Sequence, residues 1–330
     1  MIHGSTSKKF YNFLTNSYTD NFVQSENVKA FDNGTTTTFY VPGNGITDGG
    51  RMYLSTGALN GVPDLATYPD IYDKIELGWN DSGTAGWNTT SVDFFGLPIQ
   101  MKQGNLTLGF KDGTTREHVI SELKNNMNKE PELYDSRFFF ESDTTILRVF
   151  SPQHFYTSLP NKWEPMITKG LDALVTDNET NGTGVYFNFN YGGTVFTNIK
   201  KLSADSISVN ENGKVQVISG ITTGNAVSGQ IQPVGDQFAG LLAATINRGV
   251  LANPAHWGQS GMPNNGYPQY YYQGPVGEYL YNTYAKSLLD FAIDAKMYAT
   301  SYDDYWHMDS SIQVGAANNE PVTVKILPLK

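Results

Sequence analysis

Tyr72-Asp-Lys-Ile-Glu76-Leu-Gly-Trp-Asn80, and beyond it Thr90-Ser-Val-Asp93-Phe-Phe-Gly-Leu-Pro98-Ile, are the two stretches on which the fold turns. In the first, Ile75 and Leu77 point one way and Glu76 the other. In the second, Val92 and Phe94 share a face and Asp93 takes the opposite one. This is the two-residue period of half-buried strands. A nine-residue loop, 80–88, lies between them, and the midpoint of positions 76 and 93 falls inside it. A symmetrical hairpin would set both carboxylates across from each other on one face, with paired Cβ atoms about 4.5–5.5 Å apart.

Outward from this pair the chain stays strand-like from about Phe39 to Phe110. Thr37-Thr-Phe-Tyr-Val, Arg51-Met-Tyr-Leu-Ser and Leu106-Thr-Leu-Gly-Phe are separated by Gly and Pro, a sandwich or barrel pattern. Near Thr114 the period changes. Thr114-Thr-Arg-Glu117 fits a capping box, followed by Val119, Ile120, Leu123 and Met127 at helical spacing. Further helices are expected at about 162–174, 237–250 and 281–295. Strands are expected at Thr145-Ile-Leu-Arg-Val-Phe, Gly184-Val-Tyr-Phe-Asn-Phe, Val215-Gln-Val-Ile and Pro321-Val-Thr-Val-Lys-Ile-Leu-Pro. The middle of the chain therefore reads as mixed α/β. Residues 1–30 carry few patterned apolar positions and are expected to form a loosely attached arm. The polar segment from Gly258 to Gly274 reads as a long surface loop.

Composition narrows the function classes. A net charge of -10 repels phosphate backbones and anionic membranes, so neither nucleic acid nor a membrane is an expected partner. A neutral polymer is compatible with it. The 20 Tyr and 5 Trp residues offer flat apolar faces with polar edges, suited to sugar rings and equally to filling a β-core. The absence of cysteine excludes thiolate chemistry, disulfides and Cys-based metal sites. The five His residues lack zinc-binding spacing, and no cofactor is expected. The start, Met1-Ile-His-Gly-Ser-Thr-Ser-Lys-Lys, has no apolar stretch of the signal-peptide kind. Either the protein is not exported by that route or the chain begins after a removed signal; a secreted monomer is the expectation.

Two neighbouring carboxyls are what glycoside hydrolysis requires, one protonated to assist the leaving oxygen and one ionised to act on water or the anomeric carbon. Like charges placed together push one pKa upward and so supply the protonated partner. From spacing alone the plainer reading, two exposed acids satisfied by water or Arg, is preferred. The surrounding residues shift that balance. The two stretches quoted above resemble the laminaripentaose-producing β-1,3-glucanases of glycoside hydrolase family 64 and, more distantly, thaumatin-like proteins. Ile246-Asn-Arg-Gly-Val, Arg51-Met-Tyr-Leu-Ser and the segment from Ala285 to Tyr302-Asp303-Asp304 look like the same group, in the family order.

The resemblance implies a mainly β fold with an α/β part: a thaumatin-like β-barrel or sandwich domain (31–115 and 290–330) beside a mixed α/β domain (116–289), with a wide groove between them. It implies an endo-acting hydrolase of linear β-1,3-glucan that inverts the anomeric centre and releases short laminari-oligosaccharides. Glu76 matches the general acid and Asp93 the general base. Asn80, Trp87 and Thr90 match sugar-binding positions. Gly78 departs from the family, which commonly has Thr two residues after the Glu. Tyr271, within the cluster Tyr267, Tyr270, Tyr271 and Tyr272, either stacks on sugar or pins the long loop. Asp303 either lines the groove or serves the turn structurally. Thaumatin-like proteins can keep an acidic cleft without strong activity, so a non-catalytic β-glucan-binding module is the alternative.

Overall fold

The alternation read at 72–79 is an eight-residue strand in the computed structural model, which describes residues 1–4, 7–30, 38, 49–79, 85–181, 185–189, 192–251, 281–301, 311–314 and 320–330. In chain order the first strands are β1 (Ile2–Gly4), β2 (Phe10–Asn12), β3 (Ser17–Thr19), β4 (Gly50–Ser55), β5 (Tyr72–Trp79) and β6 (Ala85–Thr89). Next come β7 (Phe94–Phe95), β8 (Ile99–Gln103), β9 (Leu106–Gly109), β10 (Phe139–Ser142) and β11 (Thr145–Phe150). The last are β12 (Val185–Phe189), β13 (Gly192–Ser203), β14 (Ser206–Glu211), β15 (Lys214–Ile218), β16 (Ser311–Val314) and β17 (Thr323–Ile326). The helices are α1 (Gln24–Asn27), α2 (Arg116–Met127), α3 (Glu164–Asn181), α4 (Thr223–Ser228), α5 (Gln237–Asn247) and α6 (Thr283–Leu289).

A seven-stranded antiparallel sheet runs β16-β6-β5-β4-β1-β2-β3. Its apolar face carries Ile2, Met52, Leu54, Ile75, Leu77, Trp87 and Ile312. That face packs on Leu97, Ile99, Met101 and Leu108 from the sheet β17-β8-β9, as period-two patterning on facing strands requires. Part of the opposite face is covered by the sheet β10-β11-β7, where Tyr53, Tyr72, Phe94 and Phe150 meet. Buried Arg148 is held there between the rings of Tyr72 and Phe140, 4.6 and 4.5 Å from their centroids. The fourth sheet, β12-β13-β14-β15, shares the largest core with the helices: Phe196, Ile199, Ile207 and Val209 pack with residues of α3 and α5. The fold is thus mainly β with helices, and the described strands do not close into a barrel.

Residues 1–30 are not the expected arm. β1 sits between β4 and β2, and Ile2 and Tyr11 are fully buried. The strands are three residues each, too short to show a period, so pairing to β4 rather than local pattern defines them. The helix expected after the capping box begins at Arg116, one residue later than that box implies. Thr115, not Thr114, accepts from the His118 N–H, because the Thr114 N–H closes a turn onto Lys111 O. The helix expected at about 162–174 runs on to Asn181 in α3. Among the described residues no helix is long and apolar enough to cross a membrane.

Candidate functional site

The strand period turns Lys74, Glu76 and Gly78 to the face of β5 away from the Ile75–Leu77 core. Arg51 is the register partner of Glu76 on β4, and Asn88 is its partner on β6. Gly78 and Gly86 lie opposite each other in the same hairpin, so neither places a side chain of its own on that face. The Glu76 side chain keeps 34% of its surface exposed.

Asp93 reaches this face by a different route from the one expected. A symmetrical hairpin would have paired Glu76 with Asp93, whereas the observed register pairs Glu76 with Asn88. β6 ends at Thr89, and the chain is drawn off: Thr90 bridges to Tyr298 and the Ser91 N–H donates to Tyr298 O. Beyond a bend the Ser151 N–H donates to Asp93 O, and Phe94–Phe95 pair with β11. Asp93 therefore stands where the chain crosses from one sheet to the next. Its carboxylate turns back to the Glu76 face, with 30% of its side chain exposed.

Arg51 joins the two acids. Its Nη2 lies 3.8 Å from Glu76 Oε1 and 3.9 Å from Asp93 Oδ2. Those two oxygens are therefore within about 8 Å of each other, a range that spans the roughly 5–5.5 Å of retaining glycosidases and the lower part of the roughly 6.5–9.5 Å of inverting ones. Lys74 Nζ donates to Asp93 Oδ2 at 2.5 Å, and Gln153 Nε2 lies 3.4 Å from Asp93 Oδ1. Ser301 Oγ donates to Gln153 Oε1 at 2.9 Å and fixes that amide. Burial opposes ionisation of Asp93, but Lys74, Arg51 and His154 outweigh it and hold the carboxyl below its usual range. His154 stacks on Phe150 at 4.5 Å; burial keeps its imidazole below the ordinary value against the pull of Asp93. A cavity of about 340 Å³ opens beside Asp93, lined by Gln153, His154, Tyr156, Ser228 and Gln230.

The crossing itself is anchored. Asp73, fully buried on the other face of β5, accepts from the N–H groups of Gly96 and Leu97 at 2.8 and 2.9 Å. Arg116, at the first turn of α2, donates through Nε to Gly96 O and through Nη2 to Ile146 O and Leu147 O. Gly96 has no alternative here, since a Cβ would lie 1.9 Å from Tyr72 O.

Of the residues singled out from sequence, Glu76 and Asp93 are brought together. Trp87 is 8% exposed, with its ring in the core between Leu77 and Ile312. Thr90 is buried at the Tyr298 bridge. Asn80, Tyr271 and Asp303 lie outside the described residues. Sequence reading missed Lys74, although the same alternation that selects Glu76 selects it. It also missed Gln153 and His154, which arrive from beyond β11 and carry no local signal.

The sequence profile of a family described as Beta-1,3-glucanase matches residues 5–326. No curated protein matches the chain. Among solved structures, it is similar to a laminaripentaose-producing β-1,3-glucanase in complex with laminaritetraose, with TM-score 0.60, 20% identity, and 85% of this chain and 78% of the other covered. It is also similar to a β-1,3-glucanase domain from Clostridium beijerinckii, with TM-score 0.57, 20% identity, and 86% and 76% covered. A laminaripentaose-producing β-1,3-glucanase from Paenibacillus barengoltzii gives TM-score 0.53, 20% identity, and 98% and 69% covered. At that identity the likeness is one of fold.

Proposed function

The chain belongs to glycoside hydrolase family 64, the β-1,3-glucanases, and on that premise we propose that Glu76 and Asp93 are its acid/base pair. The activity is endo-hydrolysis of linear β-1,3-glucan to short laminari-oligosaccharides. The observation that carries the assignment is Arg51, which gathers both carboxyls onto one partly exposed strand face. Glu76 gives its proton to the departing glycosidic oxygen. Asp93, held ionised by its cationic neighbours, takes a proton from the attacking water. Water then enters from the face opposite the leaving group, so the anomeric centre inverts.

The seven-stranded sheet with the sheet β17-β8-β9 corresponds, in this reading, to a thaumatin-like body, and residues 116–289, which supply β10 and β11, to a second domain across a sugar-binding groove. The cavity beside Asp93, whose other lining residues Gln153, His154, Tyr156, Ser228 and Gln230 all come from 116–289, supports that division. Asn80, Thr90, Tyr271 and Asp303 are assigned to the groove with its substrate. Trp87 would meet sugar only at the margin its core packing leaves free. A secreted, monomeric enzyme working without a cofactor completes the proposal.

The ion pairs that Arg51 and Lys74 make with the acids also favour a second reading, a non-catalytic β-glucan-binding module in which the charges are purely structural. Reducing-sugar release from linear β-1,3-glucan separates the two. Release by the wild type, abolished in folded Glu76→Gln and Asp93→Asn, supports the enzyme. No release, with retention on insoluble glucan, supports the module. Proton NMR of the first product formed, read before mutarotation, shows the α-anomer if the reaction inverts.

A further inference from the structure

Lys74 is an unusual neighbour for a catalytic base. Its side chain is 3% exposed, and lysine is almost never that buried unless paired. Its Nζ lies 2.5 Å from Asp93 Oδ2 and 5.1 Å from the centroid of the Phe94 ring. Both contacts belong to the sheet crossing, and Lys74 is not among the residues that line the cavity beside Asp93.

We propose that Lys74 is a positioning residue for the hydrolysis, whose buried ammonium ties down Asp93 Oδ2 and leaves Oδ1 for the attacking water. The proposal rests on the reading of Glu76 and Asp93 as the acid/base pair and deepens it, because it fixes which of them is which. With Oδ2 engaged by Lys74, Oδ1 is the oxygen left for water, and among the described residues the Gln153 amide donates to it at 3.4 Å. In the step, the water oxygen bonds to the anomeric carbon and passes one proton to Asp93 Oδ1. The glycosidic C–O pair leaves with the departing oxygen, which takes the Glu76 proton. The sum is one water consumed, one hemiacetal and one alcohol formed; the proton on Asp93 then returns through solvent to Glu76. A base held this way gives up basicity and gains orientation, together with ionisation that persists in acid.

The charged and titratable groups facing Asp93 come from several elements. Lys74 and Glu76 are on β5, Arg51 and Tyr53 on β4, and His154 follows β11. Asp73 and Tyr284 stand behind the crossing, Tyr284 donating to Ser91 O. Among the charged groups, Lys74 makes the short contact and Arg51 a longer one at 3.9 Å. Removing Lys74 therefore changes Asp93 most.

The test uses the full chain, with kcat and KM on linear β-1,3-glucan followed across pH and with circular dichroism and melting as controls. Wild-type activity and its loss in Asp93→Asn establish the acid/base reading independently; if they fail, that reading falls and this proposal falls with it. If they hold, Lys74→Met should move the acid limb of kcat upward by about one pH unit or more and lower kcat roughly tenfold. KM should change by less than about threefold. Lys74→Arg should keep the wild-type limb. Lys74→Gln, which keeps a donor without the charge, should move the limb as Lys74→Met does. A folded Lys74→Met or Lys74→Gln whose limb stays in place, or whose KM alone changes, overturns the proposal. So does a chain that folds with Arg at this position but with neither Met nor Gln, since the cation would then serve stability alone.

Discussion

Asp73 and Lys74 are adjacent on β5 and both buried, yet their side chains leave opposite faces. Asp73 is sealed in, and burial, against three N–H donors and the Lys74 charge, pushes its carboxyl from 3.8 up to about 6. A raised carboxyl favours the folded chain while protonated. Its contribution is therefore present below pH 3.8 and lost as pH rises through about 6. The amide of Asp73→Asn cannot titrate but still offers one oxygen to Gly96 and Leu97. We expect the substitution to cost about 1–3 kcal/mol in acid, with the difference from wild type shrinking by pH 8. Urea titrations at pH 4.5 and 8 check this; equal penalties at both would contradict a raised value. Alternation made Ile75, Leu77 and Glu76 legible in the sequence and placed Asp93 near Glu76. The hydrogen-bonded crossing that delivers Asp93 was not legible, because its partners Tyr298 and Ser151 lie far along the chain.

At the scale of elements, the β5–β6 hairpin and the crossing tolerate change differently. A Cβ at Gly78 would meet Gly86 O at 3.5 Å, an ordinary contact, and threonine suits a strand better than glycine. Gly78→Thr should fold with an unchanged or higher melting temperature, and should alter KM or product length because its side chain rises beside Glu76. Melting curves and chromatography of products read both. Gly96→Ala places a methyl against the Tyr72 carbonyl and should cost about 2–4 kcal/mol, measured by the same melting. Most elements were legible from pattern: β11 falls on its expected residues, and α2, α3 and α5 are found where apolar spacing put them. The stretch 91–95 was not, since three of its five residues turn between sheets and only Phe94–Phe95 pair.

Across the whole molecule, β1 is the element that sequence reading missed and the sheet depends on. Ile2 is fully buried opposite Met52, and His3 is the register partner of Arg51, next to the site. Ile2→Ala should cost about 2–4 kcal/mol, and chemical denaturation should show it as a lower midpoint with an unchanged slope. In an arm that merely rested on the surface the midpoint would not move. The order β16-β6-β5-β4-β1 also carries a consequence in time. Ser311 pairs with Asn88, and Thr323 with Lys102, so strands more than half the chain apart must find each other before either sheet is whole. Contacts of such long range fold slowly. A ribosome would add more than half this chain's length after β6 before the Glu76 hairpin gained β16, and until then its β6 edge would stand open to pairing with other nascent chains.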